Sequence, residues 1–189
     1  MLLISPGRFA SGGGKELAPF LMDRFEVTVE RFRPFVEAMR KNPSRFIDGL
    51  LYWDEVGYDY PTQAVPSEAE WEYAASWDAE NNIWRRYPWG DRFDPGIHSK
   101  AFPPVVTELA LDASPWGVSG MGTGVKEWCE LPDFRIESGV IRGASQVLGS
   151  RTDRIRTPIA DARFESSWKT RANNLGFRCI LKLKKANEK

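Results

Sequence analysis

Proline and glycine interrupt the second half of this chain so often that long helices are excluded there. The stretch YPWGDRFDPGIHSKAFPPV, residues 87–105, contains both residues repeatedly. Proline removes a backbone hydrogen-bond donor, and both residues mark turns. Further along, GVKEWCEL, SGVIRGAS and NNLGFRCILKL are typical of short strands bounded by turns. The second half is therefore predicted to consist of short strands and long ordered loops.

A sharply started helix is predicted in the first half, within VPSEAEWEYAASW. Ser67 and Glu70 have the spacing of a capping box, in which each side chain accepts from a backbone N–H of the first turn. The helix is expected to cover about Glu68 to Trp77 and to bury Trp71. Glu68, Glu70 and Glu72 could suggest acid–base chemistry, but side chains two positions apart on a helix face different directions. Capping and solvation are predicted for these acids instead.

A second helix is predicted nearer the N-terminus, after Thr28, which is a plausible N-cap. Pro34 interrupts its pattern, so the helix either begins near Pro34 or is kinked there. Its apolar residues recur at helical spacing: Phe32, Phe35, Val36 and Met39. Two helices followed by short strands indicate an α+β fold class.

Length and charge narrow the range of functions. The 189 residues fit a single domain over 1–189 with a basic tail at about 182–189. Lys plus Arg equals Asp plus Glu at 26 each, so net charge gives no argument for nucleic acid or membrane partners. Only Cys129, Cys179 and His98 offer thiol or imidazole groups, which excludes a three-histidine metal centre. The N-terminal apolar run is too short for a signal peptide, so a cytoplasmic location is expected.

Six motifs in order resemble the formylglycine-generating enzyme family, also called sulfatase-modifying factor domains. They are FEVTVERFRPFV, VPSEAEWEYAA, YPWGD, SPWGVSGMGTGVKEWC, VIRGAS and NNLGFRCI. The resemblance extends from about Ile4 to Ile180 and implies a C-type-lectin-like fold. It also implies packing roles for the tryptophans within the motifs: Trp71, Trp89, Trp116 and Trp128.

The chain departs from this family at the positions that carry its chemistry. The resemblance implies a copper-binding cysteine pair, five residues apart, shortly after the RGAS motif at Arg142 to Ser145. Those positions here are Leu148 and Asp153. Neither supplies the thiolate that Cu(I) prefers. Cys129 and Cys179 lie in other motifs and are not expected to form a substitute pair. A second branch of the superfamily uses a three-histidine iron site, which this chain lacks.

The calcium loop that the resemblance implies is also altered. The family pattern DMAGNVWEW corresponds to GMGTGVKEW, so its Asp and Asn positions are Gly120 and Gly124, while Glu127 is retained. Calcium takes six to eight oxygen ligands, and one carboxylate is a poor substitute. No metal, catalytic residue or cofactor is therefore predicted.

The segment after RGAS is the candidate ligand surface, because the resemblance implies that the substrate groove lies beside the missing cysteines. Arginines interleave with acids through Gly149 to Arg171. One interpretation is a solvated loop with internal salt bridges. The other is a binding surface, since Arg and Trp are enriched at binding hot spots. The candidate ligand-binding residues are Gln146, Leu148, Arg151, Asp153, Arg154 and Trp168.

Three functional hypotheses follow. The first is a non-catalytic recognition domain that binds an unidentified protein or small molecule through its loop face. The resemblance links such domains to bacterial signalling proteins such as Ser/Thr kinases, which implies fusion to a signalling domain. The second is an enzyme with a rewired, cysteine-independent site, and the third is a structural oligomerisation module.

Overall fold

The computed structural model describes residues 1–9, 15–41, 63–97, 106–130, 138–143, 159–167 and 170–183. These residues form an α+β arrangement with two α-helices, α1 (Val29–Lys41) and α2 (Glu68–Ser76), as well as short 3-10 helices at Pro95–Ile97 and Val106–Leu111. The strands, in chain order, are β1 (Leu2–Ile4), β2 (Gly7–Phe9), β3 (Lys15–Leu17), β4 (Phe20–Met22), β5 (Gln63–Ala64), β6 (Trp77–Asp78), β7 (Ile83–Trp84), β8 (Lys126–Trp128), β9 (Ser138–Arg142), β10 (Arg163–Ser167), β11 (Leu175–Gly176) and β12 (Ile180–Lys182). Within this described part, no helix has the length and apolar character needed to cross a bilayer.

The strands form two four-stranded sheets and two small pairs. The first sheet has the order β1-β4-β12-β5, and its pairs are antiparallel. It joins strands from both ends of the described chain, with Ile180 opposite Met22. The second sheet has the order β10-β9-β8-β11, where β11 runs parallel to β8. The smaller pairs are β2 with β3 and β6 with β7.

Helix α2 confirms the predicted capping box. The Glu70 amide donates to the Ser67 hydroxyl at 3.3 Å, and the Ser67 amide donates to the Glu70 carboxylate at 2.8 Å. The helix ends at Ser76, and Trp77 is its C-cap. This satisfies donors that every helix start leaves unpaired, and it fixes the point at which Trp71 enters the core.

Helix α1 begins before Pro34, in contrast to one of the two alternatives predicted from the sequence. Its first residue is Val29, and the Arg31 amide donates to the Thr28 hydroxyl at 3.2 Å, so Thr28 is the N-cap. Pro34 lies inside the helix rather than at its start. A beginning near Pro34 is therefore wrong, because the cap at Thr28 starts the helix one turn earlier.

The core lies around α2 and the first sheet. Trp71 and Tyr73 are fully buried together with Phe20, Met22 and Ile180. The predicted packing role holds most fully for Trp71, since Trp89, Trp116 and Trp128 each keep part of their surface exposed. Trp116 contacts the core and lies 5.9 Å from Tyr73 between ring centroids.

Strand β10 was not predicted. The interpretation of residues 149–171 as a loop is wrong for residues 163–167, which pair antiparallel with β9. Arg163 and Glu165 are exposed, while Phe164 between them is partly buried. This alternation is typical of a half-buried strand at the edge of a sheet.

Candidate functional site

The predicted ligand-binding residues lie outside the part of the chain that the structure describes. These are Gln146, Leu148, Arg151, Asp153, Arg154 and Trp168. The description stops at Gly143, at the end of β9, and resumes at Ile159. Gly143 has a φ of +78°, and a Cβ there would lie 2.9 Å from the Met121 carbonyl oxygen and 3.2 Å from the Trp71 ring. Glycine is required at this exit because side chains fit neither the backbone angle nor the space.

Beneath the second sheet lies a buried ion pair between Glu127 on β8 and Arg178. Both side chains have no exposed surface, and two guanidinium–carboxylate contacts measure 2.6 Å each. The remaining guanidinium hydrogens point to the backbone carbonyls of Asp23, Arg24 and Ser119. Burial alone would lower the pKa of Arg178, but the Glu127 carboxylate outweighs it and raises that pKa.

The indole of Trp71 completes this network. Its Nε1–H donates to Oε2 of Glu127 at 3.0 Å, so both carboxylate oxygens of Glu127 are already engaged. The arrangement joins α2, β8 and the segment before β12 at one point. A planar guanidinium matched to a carboxylate by two hydrogen bonds is the arrangement for which arginine is suited.

Glu26 lies next to this pair and occupies the space beside two glycines. A Cβ at Gly120 would lie 2.7 Å from Oε2 of Glu26, and a Cβ at Gly124 would overlap its Oε1. Oε1 accepts from the Val125 amide at 3.2 Å, whereas Oε2 is buried without a hydrogen-bond partner in the described part. Burial raises the pKa of Glu26 to about 7, against the opposing effect of Arg178.

Stability is therefore expected to depend on pH through Glu26. The native state binds this proton more tightly than the unfolded chain, so the stabilisation is complete below about pH 4.5 and is lost as pH rises through about 7. A shift of this size corresponds to about 3 kcal/mol of unfolding free energy. Glu26→Gln mimics the protonated acid. In urea denaturation, this variant should therefore show a smaller fall in unfolding free energy between pH 5 and 8 than the wild type.

The matched control for that experiment is Glu30→Gln, which removes an exposed acid in the first turn of α1. It should leave the pH dependence of the wild type in place. Burial also raises the pKa of Asp112, to about 6, so part of the decline below pH 6 should persist in Glu26→Gln. If the unfolding free energy of Glu26→Gln falls between pH 6 and 8 as much as that of the wild type, the assignment to Glu26 is contradicted.

A second ion-pair group links α2 to the edge of the second sheet, and it corrects the prediction that the helix acids are solvated. Glu70 and Glu72 are buried, and Glu72 forms an ion pair with Arg142 on β9. Glu68 bridges Arg142 at 3.2 Å and Arg163 at 2.9 Å. Glu68 and Glu72 share one face of α2 and both contact Arg142, whereas Glu70 caps the helix at Ser67. Glu68 and Glu72 hold β9 and β10 in place rather than forming an acid–base pair.

The two cysteines are free and lie in different surroundings. Cys129 is 2% exposed, and burial raises the pKa of its thiol, with a further rise from Glu127 and an opposing effect of Arg142. Burial raises the pKa of Cys179 to about 11, with Asp23 adding to the shift. A thiolate is the form that binds metal or attacks an electrophile, so neither residue is prepared for that chemistry.

Lys126 is a residue that the sequence analysis missed. It lies on β8 beside Glu127, but on the opposite face of the sheet, and its ammonium lies 4.1 Å from the centroid of the Phe164 ring. Burial lowers the pKa of Lys126. The available signal was the GVKEW run itself, in which lysine stands at a position where the family pattern has tryptophan.

Comparison with known proteins decides the family. Residues 50–183 match the sequence model of the sulfatase-modifying factor enzyme 1-like domain. The chain belongs to this family. The resemblance based on the six motifs is thereby confirmed.

Its relatives include proteins of different activity. The formylglycine-generating enzyme of Streptomyces coelicolor is 32% identical over 61% of this chain and 45% of its own length. Hercynine oxygenase of Mycolicibacterium thermoresistibile is 28% identical over 48% of this chain and 22% of its own. The chain thus spans less than half the length of these relatives. The crystal structure of CarF is 15% identical and superimposes with a TM-score of 0.66 over 97% of this chain and 98% of that one, which confirms the fold.

The metals that the family implies do not fit the residues present. The motif resemblance assigns the two copper-ligand positions to Leu148 and Asp153, and neither residue type supplies a thiolate. In the altered calcium loop, Gly120 and Gly124 contribute no side-chain oxygen, and Arg178 and Trp71 engage both oxygens of Glu127. The described part of the chain contains no cluster of three or more His, Cys, Asp or Glu residues suited to a metal ion.

Proposed function

We propose that this chain is a recognition domain of the sulfatase-modifying factor family that has lost copper-dependent cysteine oxidation. The observation that carries the proposal is the replacement of the cysteine pair together with the protonated form of the two remaining thiols. Leu148 and Asp153 replace the cysteine pair, and the raised thiol pKa values of Cys129 and Cys179 keep both protonated at neutral pH. A fold of this family without its redox ligands retains a rigid frame that presents loops.

The frame supports the proposal through its rigidity around the exit of β9. Arg142 is fixed by Glu68 and Glu72, and it also donates to the Asp161 carbonyl at 2.7 Å. The chain therefore leaves and rejoins the described structure at two points tied to the same guanidinium. Loops held at both ends by a packed scaffold are common carriers of binding residues. We place the ligand surface on the segment between these points together with Trp168, which follows β10 in the sequence, and take Arg151, Arg154 and Trp168 as its main contacts.

The test of lost redox chemistry is an oxidation assay. Wild-type protein is supplied with Cu(I) and a sulfatase-derived cysteine peptide, and mass spectrometry measures conversion of cysteine to formylglycine. No conversion and no stoichiometric Cu(I) binding are expected. The double variant Leu148→Cys/Asp153→Cys is the matched control, since restoring the pair should restore Cu(I) binding. Conversion by the wild type would overturn the proposal and favour the alternative of a rewired enzyme.

The test of recognition is capture of a partner from host extract by three forms of the protein. The double variant Arg151→Ala/Arg154→Ala should lose the partner, because arginines at hot spots typically contribute more than 1 kcal/mol each. The double variant Arg33→Ala/Arg40→Ala removes the same charge from exposed positions on α1 and should capture as the wild type does. Equal capture by all three forms would show that Arg151 and Arg154 are not part of the ligand surface.

A further inference from the structure

The outer face of the second sheet carries a cation in apolar surroundings. We define this face as Lys126, Trp128, Ile141, Phe164 and Leu175, which share one side of the pleat because Trp128 is opposite Ile141, Ile141 is opposite Phe164, and Lys126 is opposite Leu175. The other side of the sheet holds Glu127 and Arg142 and packs on α2. The outer face is thus separate from the buried ion pairs.

Lys126 differs from the other cations near this sheet. Arg142, Arg163 and Arg178 each contact a carboxylate, whereas Lys126 has no carboxylate partner among the described residues. Its ammonium instead lies 4.1 Å from the Phe164 centroid. A ring face attracts a cation, but it neutralises no charge. The partly buried ammonium therefore retains capacity for an anion.

Lys126 lies among apolar and aromatic side chains rather than in open solvent. Trp128, Phe164 and Leu175 are each partly exposed, and Ile141 beneath them is buried. At one side of the face, the hydroxyls of Ser166 and Thr170 lie 2.9 Å apart and supply further hydrogen-bonding groups. Apolar and aromatic surface with a few placed polar groups is the usual composition of a small-molecule site.

We propose that the outer face binds an organic carboxylate with an aromatic or aliphatic body, its carboxylate on Lys126 and its apolar part against Phe164 and Trp128. The juxtaposition that carries this is the Lys126 ammonium, which has no carboxylate partner in the described part of the chain and lies over the Phe164 ring in a half-buried apolar face. The inference rests on the proposed recognition function and narrows its ligand to this chemical class. A Cβ at Gly143 would lie 3.6 Å from the Val125 carbonyl oxygen, so the face adjoins the exit of β9.

The experiment is an NMR titration with phenylacetate as probe, followed on the signals of Lys126 and Phe164. Saturable shifts are expected with phenylacetate and not with phenethylamine, which has the same ring and the opposite charge. Lys126→Gln should weaken phenylacetate binding about tenfold, the loss that follows removal of one charged hydrogen-bond partner. Lys126→Arg should restore most of the affinity. A pair of peptides ending in phenylalanine, with a free or an amidated C-terminus, distinguishes a peptide source of the carboxylate from a free acid.

Lys182→Gln is the matched control, because Lys182 is an exposed lysine on β12 with Glu130 at 3.5 Å, in the other sheet. It should leave phenylacetate affinity unchanged. Equal shifts by phenylacetate and phenethylamine, or full affinity in Lys126→Gln, would overturn the proposal and assign Lys126 to packing alone. These outcomes are independent of the oxidation assay and of partner capture, so this inference and the proposed function fail separately.

Discussion

Replacing Arg178 by methionine is expected to lower the free energy of unfolding by about 3–5 kcal/mol. Methionine retains the unbranched stem of the side chain, so the loss comes mainly from the charge. Glu127 has no exposed surface and would be left as an uncompensated buried carboxylate. The backbone carbonyls of Asp23 and Ser119 would lose the Arg178 donor at the same time, while the Arg24 carbonyl would keep its hydrogen bond from the Ser119 amide. Urea denaturation at neutral pH measures the effect.

Two further variants isolate the cause. Lys182→Met removes one partner of the exposed Lys182–Glu130 pair, and it should cost less than about 1 kcal/mol because solvent screens such pairs. Adding Glu127→Gln to Arg178→Met removes the stranded charge while an amide oxygen remains to accept from Trp71. The double variant should be more stable than Arg178→Met alone. If Arg178→Met costs no more than Lys182→Met, the buried pair does not stabilise the fold as described.

What the sequence predicts well is what local rules encode. Ser67 and Glu70 specify the start of α2 because a capping box needs only residues three apart. The turns around GVKEWCEL and NNLGFRCILKL bound strands that the structure contains. The order of the motifs then leads to the family and the fold. Apart from the order of the motifs, each of these signals is contained in one short stretch of chain.

Long-range pairing is what local rules leave open. Glu72 and Arg142 are 70 positions apart, and no periodicity on α2 indicates that an arginine on β9 will cover it. Likewise, Glu26 fills the space beside Gly120 and Gly124 only once the chain has folded back about a hundred residues later. The sequence shows that Gly120 and Gly124 have no side chains, but it does not show that the Glu26 carboxylate fills the space beside them.

Strand β10 has a sequence signal of its own. Phe164 and Ser166 alternate with Arg163, Glu165 and Ser167, which is the period-two pattern of a half-buried strand. Its charges made it resemble a solvated loop, although charged side chains are usual on edge strands. For the candidate binding residues, the sequence supplies positions but no contacts, and their roles stay predictions.

Replacing Trp71 by alanine is expected to cost about 3–5 kcal/mol of unfolding free energy, as buried aromatic truncations do. Trp71 is fully buried at the centre of α2, and its ring lies against the Gly143 backbone, where β9 ends. The truncation opens a cavity there and also removes the indole N–H from Glu127. Thermal and urea denaturation of the variant measure the combined loss.

Two phenylalanine variants separate the cavity from the hydrogen bond. Trp71→Phe retains an aromatic ring but removes the donor to Glu127, at an expected cost of about 1–3 kcal/mol. Trp116→Phe is the matched control, since the Trp116 Nε1 is buried without a hydrogen-bond partner among the described residues. Removing that N–H eliminates a buried unpaired polar group, which offsets part of the stability that the smaller ring loses. Trp116→Phe should therefore lower the unfolding free energy less than Trp71→Phe does. Equal costs for the two substitutions would mean that the indole–Glu127 bond adds nothing, and that Trp71 stabilises the fold through its volume alone.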